Sequence, residues 1–337
     1  MIVTVTGAYK NAGDHLIGWR ARALLRHHVD PEVVNVDRKS ITDEHYEIFN
    51  RSRAVLLTGG PAYQPTLYPG IYPLDLDRVK VPVIPYGLGW RDRLGAKPED
   101  FHFESAARQF LLQIHADKTR FSSARCPLTM RMLSANSVEN ALMTGCPAWY
   151  DESKLDLDFQ WPHEIRRIVF TAPANKIADT AALLRWLRRR FPRASIHLVF
   201  QAGLKSTHSK RGAEFTRWNI ALAAQSALAG IRTIDASGSD QKLRELLVSA
   251  DLHIGYRVHS HLFCVSQRIA SILVAEDTRG EGQNLALNLP QLTSKHSLIE
   301  KQHSISEFLD SFGSPMHAAV EQTRKSHSEM LRFLKQF

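Results

Sequence analysis

The sequence lacks the features of secreted, disulfide-stabilised and membrane-spanning proteins. Its three cysteines, Cys126, Cys146 and Cys264, are odd in number and far apart, which excludes a disulfide framework and a zinc-binding spacing. The N-terminal segment MIVTVTGAYK has neither the basic start nor the apolar core of a signal peptide and is typical of a strand. No stretch approaches the roughly 20 apolar residues of a membrane span. We therefore expect a cytoplasmic protein with at most peripheral contact at the inner membrane surface.

The sequence also has no short-period repeat and no low-complexity segment. Its 337 residues suggest two domains, and its formal net charge of +9 favours anionic partners. Three kinds of anionic partner fit this positive net charge: phosphates, nucleic acid and an anionic membrane surface. Nucleic acid is the least favoured of these, because the basic residues are dispersed and no recognition motif is present.

Short apolar runs alternate with amphipathic helical patterns over most of the chain. Such alternation predicts βαβ units and mainly parallel sheets. A polar stretch, Asp151–His163, interrupts the pattern. We predict an α/β fold of two Rossmann-like domains facing a central cleft, residues 1–155 and 164–303, followed by a helical tail at 304–337. The predicted strands are Ile2–Thr6, Val33–Val36, Ala54–Thr58, Val81–Tyr86, Phe121–Ala124, Ala141–Thr144, Ile168–Thr171, Ile196–Phe200, Ile231–Ile234, Leu252–Ile254 and Ile272–Val274.

The segment Leu252–Ser266, LHIGYRVHSHLFCVS, carries the densest group of reactive side chains. Arg257, His259 and His261 follow a strand-like run at the place where a helix should start, near Ser260. Ligands of open α/β sheets bind at this junction, and helix N-termini attract anions. An arginine beside a histidine suits a phosphorylated or carboxylated substrate. A single histidine there would be assigned to packing or helix capping, whereas the cluster favours a functional site.

Three glycine-containing segments follow predicted strands of the first domain: Gly7–Asp14, Thr58–Gln64 and Tyr86–Arg91. They do not form the dinucleotide fingerprint G-x-G-x-x-G, so NAD binding is not predicted. Asp14 is a candidate cap for the first helix, and ordinary strand-to-helix turns remain the alternative explanation. The aromatic residues in or near these segments are candidates for stacking on sugar rings: Tyr63, Tyr68, Tyr86 and Trp90.

Two later segments place an arginine after a predicted strand. Arg125 lies in SSARCP and Arg279 in EDTRGEG, and each can reach an anion. Between them, TGCPAW at Thr144–Trp149 closes the first domain. His27 and His28 end the first helix, where their charge would suit the helix dipole.

In their order, these segments resemble the motifs of the polysaccharide pyruvyl transferase family. The family pattern runs N-x-G-D, GG, G-x-G, S-x-R-D, G-D-P, R-x-H-S and D-x-K. It is matched here by Asn11, Gly13 and Asp14, then Gly59 and Gly60, Gly87 and Gly89, Ser123 and Arg125, Gly145 and Pro147, Arg257, His259 and Ser260, and finally Asp277 and Arg279.

The departures from the family pattern concern two carboxylates and a lysine. Cys126 and Cys146 stand where the family has aspartates, and Arg279 replaces the late lysine. The lost carboxylates leave open an altered acceptor, a changed reaction or a lost activity.

The resemblance implies a glycosyltransferase-B-like fold and transfer of pyruvate from phosphoenolpyruvate to two hydroxyls of a sugar, forming a ketal for cell-surface polysaccharide or glycan synthesis. Phosphoenolpyruvate is then a co-substrate in the second domain, and the first domain binds a saccharide, lipid-linked or nucleotide-linked. No metal and no organic cofactor are expected, and homo-oligomerisation stays open.

The resemblance also implies roles for individual residues. His259, Arg257 and Asp14 are the expected catalytic residues, with His259 exchanging protons near neutral pH and Asp14 acting as a base or only as a cap. The expected substrate-binding residues are Asn11, Gly13, Gly59, Gly60, Gly87, Gly89, Arg125, Ser260 and Arg279.

Two alternatives from other classes remain. The first is a glycosyltransferase-B-type enzyme that uses a nucleotide sugar, with Glu276 or Glu281 binding the ribose. The second is a degenerate saccharide-binding protein without catalysis, which the two cysteines motivate.

Overall fold

The computed structural model describes residues 1–7, 11–60, 62–205 and 212–337. Three residues of the first glycine segment, 8–10, and Pro61 of the second lie outside the described residues. No helix among the described residues combines the length and the apolar character needed to cross a membrane.

The first half of the chain forms a parallel sheet with the strand order β2-β1-β3-β4. A short parallel pair, β5 and β6, continues it through a bridge between Leu88 and Ala124. All five residues of β1 are buried, as expected for a strand covered on both faces. The strands are β1 Ile2–Thr6, β2 Val33–Asp37, β3 Val55–Thr58, β4 Val83–Tyr86, β5 Ser122–Ala124 and β6 Ala141–Met143. The helices are α1 Ala12–His28, α2 Asp43–Arg51, α3 Ser105–Ile114 and α4 Pro127–Ala135, with short helical turns at Leu67–Ile71, Leu76–Arg78, Pro98–Asp100, Pro147–Trp149 and Glu152–Lys154.

The second half forms a five-stranded parallel sheet with the order β11-β10-β7-β8-β9. Its central strand pair, β10 and β7, aligns Gly255 with Thr171 at the carboxyl edge of the sheet. The strands are β7 Arg167–Thr171, β8 Ser195–Phe200, β9 Arg232–Asp235, β10 Leu252–Gly255 and β11 Ala270–Leu273. The helices are α5 Thr180–Arg190, α6 Gly212–Leu228, α7 Asp240–Val248, α8 Val258–Ser266 and α9 Thr278–Ala286.

All of the predicted strands are present, with boundaries that shift by two residues or fewer. The start of α1 differs from the prediction because Asn11, and not Asp14, is its cap. The Asn11 side chain accepts a hydrogen bond from the Gly13 amide at 3.1 Å, so the helix begins at Ala12. Asp14 therefore lies within the first helical turn. Helix α8 also begins earlier than predicted, at Val258 and not at Ser260.

The chain ends in two helices, α10 Leu298–Asp310 and α11 Pro315–Leu334. The second returns to the first sheet, where Phe333 stacks on Tyr86 with ring centroids 5.2 Å apart. The Gln336 side chain also exchanges two hydrogen bonds with the Phe121 backbone, at 2.9 and 3.0 Å. The tail thus covers the core of the N-terminal half.

We expect Phe333→Ala to lower the free energy of unfolding by about 3–5 kcal/mol, because a fully buried ring is lost and a cavity remains. Leu228→Ala is the control, since Leu228 is 91% exposed and its loss should cost less than about 0.5 kcal/mol. Urea denaturation of the three proteins measures both effects. A loss of unfolding free energy in Phe333→Ala that is as small as the loss in Leu228→Ala would show that α11 does not stabilise the N-terminal half.

Candidate functional site

The N-terminal ends of α1 and α8 meet between the two sheets. The Ala12 amide donates to the Gln201 carbonyl at 3.0 Å, and the Gln201 side-chain amide donates to the Ser260 hydroxyl. Gly13 lies so close to α8 that a Cβ atom on it would come within 2.9 Å of His259 Nδ1. A glycine at this position therefore permits the close approach of the two helices.

His259 and Asp14 face each other across this contact. His259 Nδ1 lies 3.5 Å from Asp14 Oδ1, and His259 is 5% exposed. Burial lowers the pKa of His259 well below its usual value, and the charges of Arg125, Arg279 and Arg257 lower it further. Burial raises the pKa of Asp14 despite neighbouring arginines. These effects favour the neutral form of the His259 imidazole, which has three arginines nearby and the Asp14 carboxyl beside it.

Arg125 is the most unusual side chain of the site. It is completely buried, and none of its guanidinium nitrogens has a hydrogen-bond partner within the described chain. Gly89 leaves room for it, because a Cβ atom at that position would collide with the guanidinium. Its neighbours include the thiols of Cys126 and Cys146, and burial raises the pKa of the Cys146 thiol. A buried cation without a hydrogen-bond partner attracts anions, and the charges of Arg279 and Asp277 also act on this guanidinium.

The other two arginines are held by their own half of the protein. Arg257 Nε donates to the Ala172 carbonyl at 2.8 Å, and Arg257 Nη2 donates to the Pro173 carbonyl at 3.4 Å. Arg279 forms a bidentate ion pair with Asp277, whose carboxylate also caps α9. Both guanidinium groups are thus fixed in position before any substrate arrives.

Arg257, His259 and Arg279 border a polar pocket with a cavity volume of about 30 Å³, whereas Arg125 and Asp14 do not line it. Its walls include Asn11, Gln201, Arg257, His259 and Arg279. That volume holds about one water molecule, so a phosphorylated three-carbon acid needs the two halves to separate or side chains to move.

The remaining glycines lie at strand ends of the first sheet. Gly59 and Gly87 have positive φ angles of 69° and 63°, and they pack against Ile17 and Pro147. Gly60 has a φ of 80° and open space beside it. Only glycine adopts such angles without strain, which explains these residues as turn formers.

The prediction that aromatic residues here stack on sugars is wrong for three of the four. Tyr63 and Tyr86 are 0% exposed and Trp90 is 1% exposed, because they pack into the core. Tyr68 is half-buried and stacks on Phe110 instead, with centroids 5.1 Å apart. The residue most clearly missed by sequence reasoning is Gln201, although its position directly after β8 is the signal shared by the other site residues.

The fold and site together define an α/β protein with two main parallel sheets and a group of arginines around a buried histidine where the sheets meet. The Neisseria meningitidis UDP-GlcNAc 2-epimerase bound to UDP-GlcNAc is similar in structure, with a TM-score of 0.60, 11% identity and full coverage of both chains. The S. aureus MnaA–UDP co-structure gives a TM-score of 0.59 at 12% identity, covering 98% of this chain and 94% of that one. A Rickettsia africae glycosyltransferase gives 0.50 at 11% identity, covering 98% and 95%. These likenesses confirm the glycosyltransferase-B-like fold.

A sequence model of the polysaccharide pyruvyl transferase family matches residues 11–278. The chain belongs to this family, which is one of transferases. No curated protein matches the chain.

We expect Arg125→Met to leave the free energy of unfolding unchanged or to raise it by up to about 4 kcal/mol, because it removes a buried charge that lacks a partner. Arg20→Met is the matched control. Arg20 is also buried, but it donates to Asp151 at 2.9 Å, so its loss should cost about 1–3 kcal/mol. Chemical denaturation compares the two variants. An equal loss in both would mean that Arg125 has a stabilising partner within the protein.

Proposed function

We propose that this protein transfers pyruvate from phosphoenolpyruvate to a saccharide and forms a cyclic ketal. The observation that carries the proposal is the buried Arg125, whose guanidinium has no hydrogen-bond partner within the described residues and whose charge acts on His259. Phosphoenolpyruvate carries a carboxylate and a phosphate, so it needs several fixed cations. Arg125, Arg257 and Arg279 supply them, and family membership supports this chemistry.

The reaction requires two proton transfers and the loss of phosphate. Carbon 3 of the enol takes up a proton while a sugar hydroxyl attacks carbon 2. Inorganic phosphate then leaves with a proton, and the second hydroxyl adds to carbon 2 to close the ketal. One hydroxyl proton is balanced by the proton added to carbon 3, which turns the methylene of the donor into the methyl of the product. The other is balanced by the proton that leaves with phosphate.

His259 suits the protonation of carbon 3. It is neutral in the free protein, and a bound dianion offsets the three arginine charges that lower its pKa. Donor binding therefore favours proton uptake by His259. Asp14, 3.5 Å away, is the base for an acceptor hydroxyl, since a carboxylate with a raised pKa accepts a proton more readily.

In this proposal the donor lies between the two halves. It is held by Arg257 and Arg279 of the second, residues 164–303, and by Arg125 of the first, residues 1–155, which also binds the acceptor. Arg257, His259 and Arg279 all belong to the second half, whereas the glycine turns Gly59–Gly60 and Gly87–Gly89 end strands of the first. The acceptor is a lipid-linked or nucleotide-linked saccharide of cell-surface glycan synthesis. The reaction needs no metal and no organic cofactor, and it takes place in the cytoplasm.

The second candidate, a nucleotide-sugar glycosyltransferase, is favoured by the fold shared with UDP-bound structures. The carboxylates it would use already accept backbone hydrogen bonds. Glu276 accepts from the Ala174 and Asn175 amides, and Glu281 accepts from the Gly95 amide. A carboxylate has about four acceptor positions and Glu276 also lines the pocket, so the preference for pyruvyl transfer rests on family membership.

Phosphate release from phosphoenolpyruvate tests the proposed function directly. The purified protein is incubated with the donor and a panel of lipid-linked and nucleotide-linked saccharides, with UDP-sugars alone as the comparison. We expect acceptor-dependent phosphate release and a product heavier by one pyruvyl group. Turnover of UDP-sugars alone would favour the glycosyltransferase. Saccharide binding without turnover would favour a degenerate binding protein.

With a verified acceptor, we expect His259→Ala to lower kcat by about 10²–10⁴-fold, as for loss of a general acid. Arg257→Ala should instead raise the donor KM by about ten- to a hundredfold, because a charge-assisted contact is lost. Arg257→Lys should restore little of this loss if the contact is bidentate. Steady-state kinetics and direct donor binding separate the two roles. A His259→Ala variant with wild-type kcat would assign protonation to another group.

A further inference from the structure

A second group of titratable side chains lies at the other end of α1 and shares no residue with the candidate site. His27 and His28 end the helix, and both contact the carboxylate of Glu152. His27 Nδ1 lies 2.8 Å from Glu152 Oε2, and His28 Nε2 lies 2.5 Å from Oε1. His327 of α11 approaches the same oxygen, with Nε2 at 3.1 Å. Three imidazoles thus converge on one carboxylate.

This group of side chains is more than a local cap on the C-terminal end of α1. The four side chains come from α1, from the helical turn Glu152–Lys154 and from α11, which are more than 120 residues apart in sequence. His28 and Glu152 have side chains that are 25% exposed, and that of His327 is 14% exposed, whereas that of His27 is 67% exposed. Three of the side chains are therefore partly withdrawn from water, and His27 leaves the group open to ions from the solvent.

The geometry is compatible with a shared metal ion. The ligand atoms of His27, His28 and Glu152 all lie within 4.8 Å of one another. Ligands of a tetrahedral zinc ion lie about 3.4 Å apart, given metal–ligand distances of about 2.0–2.1 Å. Small side-chain rotations that open the present hydrogen bonds would place an ion between them.

We propose that His27, His28 and Glu152 bind a divalent transition-metal ion of the zinc type, with His327 as the fourth ligand. Three imidazole nitrogens and one carboxylate oxygen suit zinc, whereas Mg²⁺ and Ca²⁺ prefer oxygen ligands. On binding, each imidazole directs a lone pair to the metal, and the proton it now shares with Glu152 moves to its other ring nitrogen or to water. No electron transfer is involved.

The site has a structural role, because its ligands belong to segments that hold the two halves together. Asp151, next to Glu152, accepts hydrogen bonds from Arg20 of α1 and from Gln267, which follows α8. His327 belongs to the helix that covers the first sheet. A metal ion at this position fixes α1, the connection between the sheets and α11 to one another.

The test is metal binding by the full-length protein without a histidine tag, stripped with a chelator. Equilibrium dialysis against Zn²⁺, read by elemental analysis, should give one ion per chain, with no binding of Mg²⁺ under the same conditions. Zn²⁺ should also raise the Tm. Absence of stoichiometric Zn²⁺ binding would overturn the proposal and leave the cluster as a hydrogen-bond network.

Single substitutions test which side chains bind the metal ion. His28→Ala and Glu152→Gln should each weaken Zn²⁺ binding by more than about tenfold, and His327→Ala should weaken it as well. His303→Ala is the matched control, because His303 forms an isolated, exposed pair with Glu307 at 3.3 Å. Wild-type affinity in both His28→Ala and Glu152→Gln would refute the site.

Replacing Zn²⁺ with Co²⁺ in the wild-type protein tests the coordination without any variant, so the result does not depend on whether a variant folds. In the wild-type protein a tetrahedral site with nitrogen and oxygen ligands should give intense visible absorption bands. The weak bands of octahedral Co²⁺ would refute the proposed coordination.

Discussion

The candidate site depends on the burial of Arg125 without a counter-ion among the described residues. Burying an unpaired charge costs several kcal/mol, and the rest of the fold must offset that cost. The glycine at position 89 makes the burial sterically feasible, and no side chain among the described residues forms a hydrogen bond with the guanidinium. A bound anion would recover part of the cost. In the proposed function, the Arg125 guanidinium is the place where the negatively charged ligand binds.

The same positive charge controls the chemistry available to His259. Burial and then the charges of three arginines lower the pKa of this imidazole, and the N-terminal end of α8 acts in the same direction. In the proposed function, an anionic donor would oppose that influence and would couple its own binding to proton uptake by His259. The close approach of α1, permitted by Gly13, then places Asp14 from the other half of the chain beside the histidine. The site therefore requires both halves of the protein.

The sequence predicted the alternation of strands and helices well, because apolar strands covered on both faces are distinct from amphipathic helices. Helical patterns at Asp14–Leu25, Ser105–Ile114, Thr180–Arg190, Ala213–Ala229, Asp240–Ser249 and Ser260–Arg268 predict α1, α3 and α5 to α8. No such pattern predicts α2, α4 and α9, which are short and have mixed composition. The sequence predicted that Arg257, His259 and Asp14 belong to a common site, and the structure brings them together. It could not predict that Arg125 is buried without a partner, because pairing depends on contacts between distant segments. Likewise, Tyr63 and Trp90 have side chains suited both to sugar stacking and to core packing, and only the tertiary structure decides between these uses.

The crystal structure of the protein with phosphoenolpyruvate bound is the most direct test of the central claim. We expect the donor's phosphate or carboxylate to lie within hydrogen-bond distance of the Arg125 guanidinium, with His259 within reach of the enol carbon. The pocket of about 30 Å³ should have opened to accommodate it. A structure in which Arg125 still lacks a partner and phosphoenolpyruvate lies on another surface would contradict the claim.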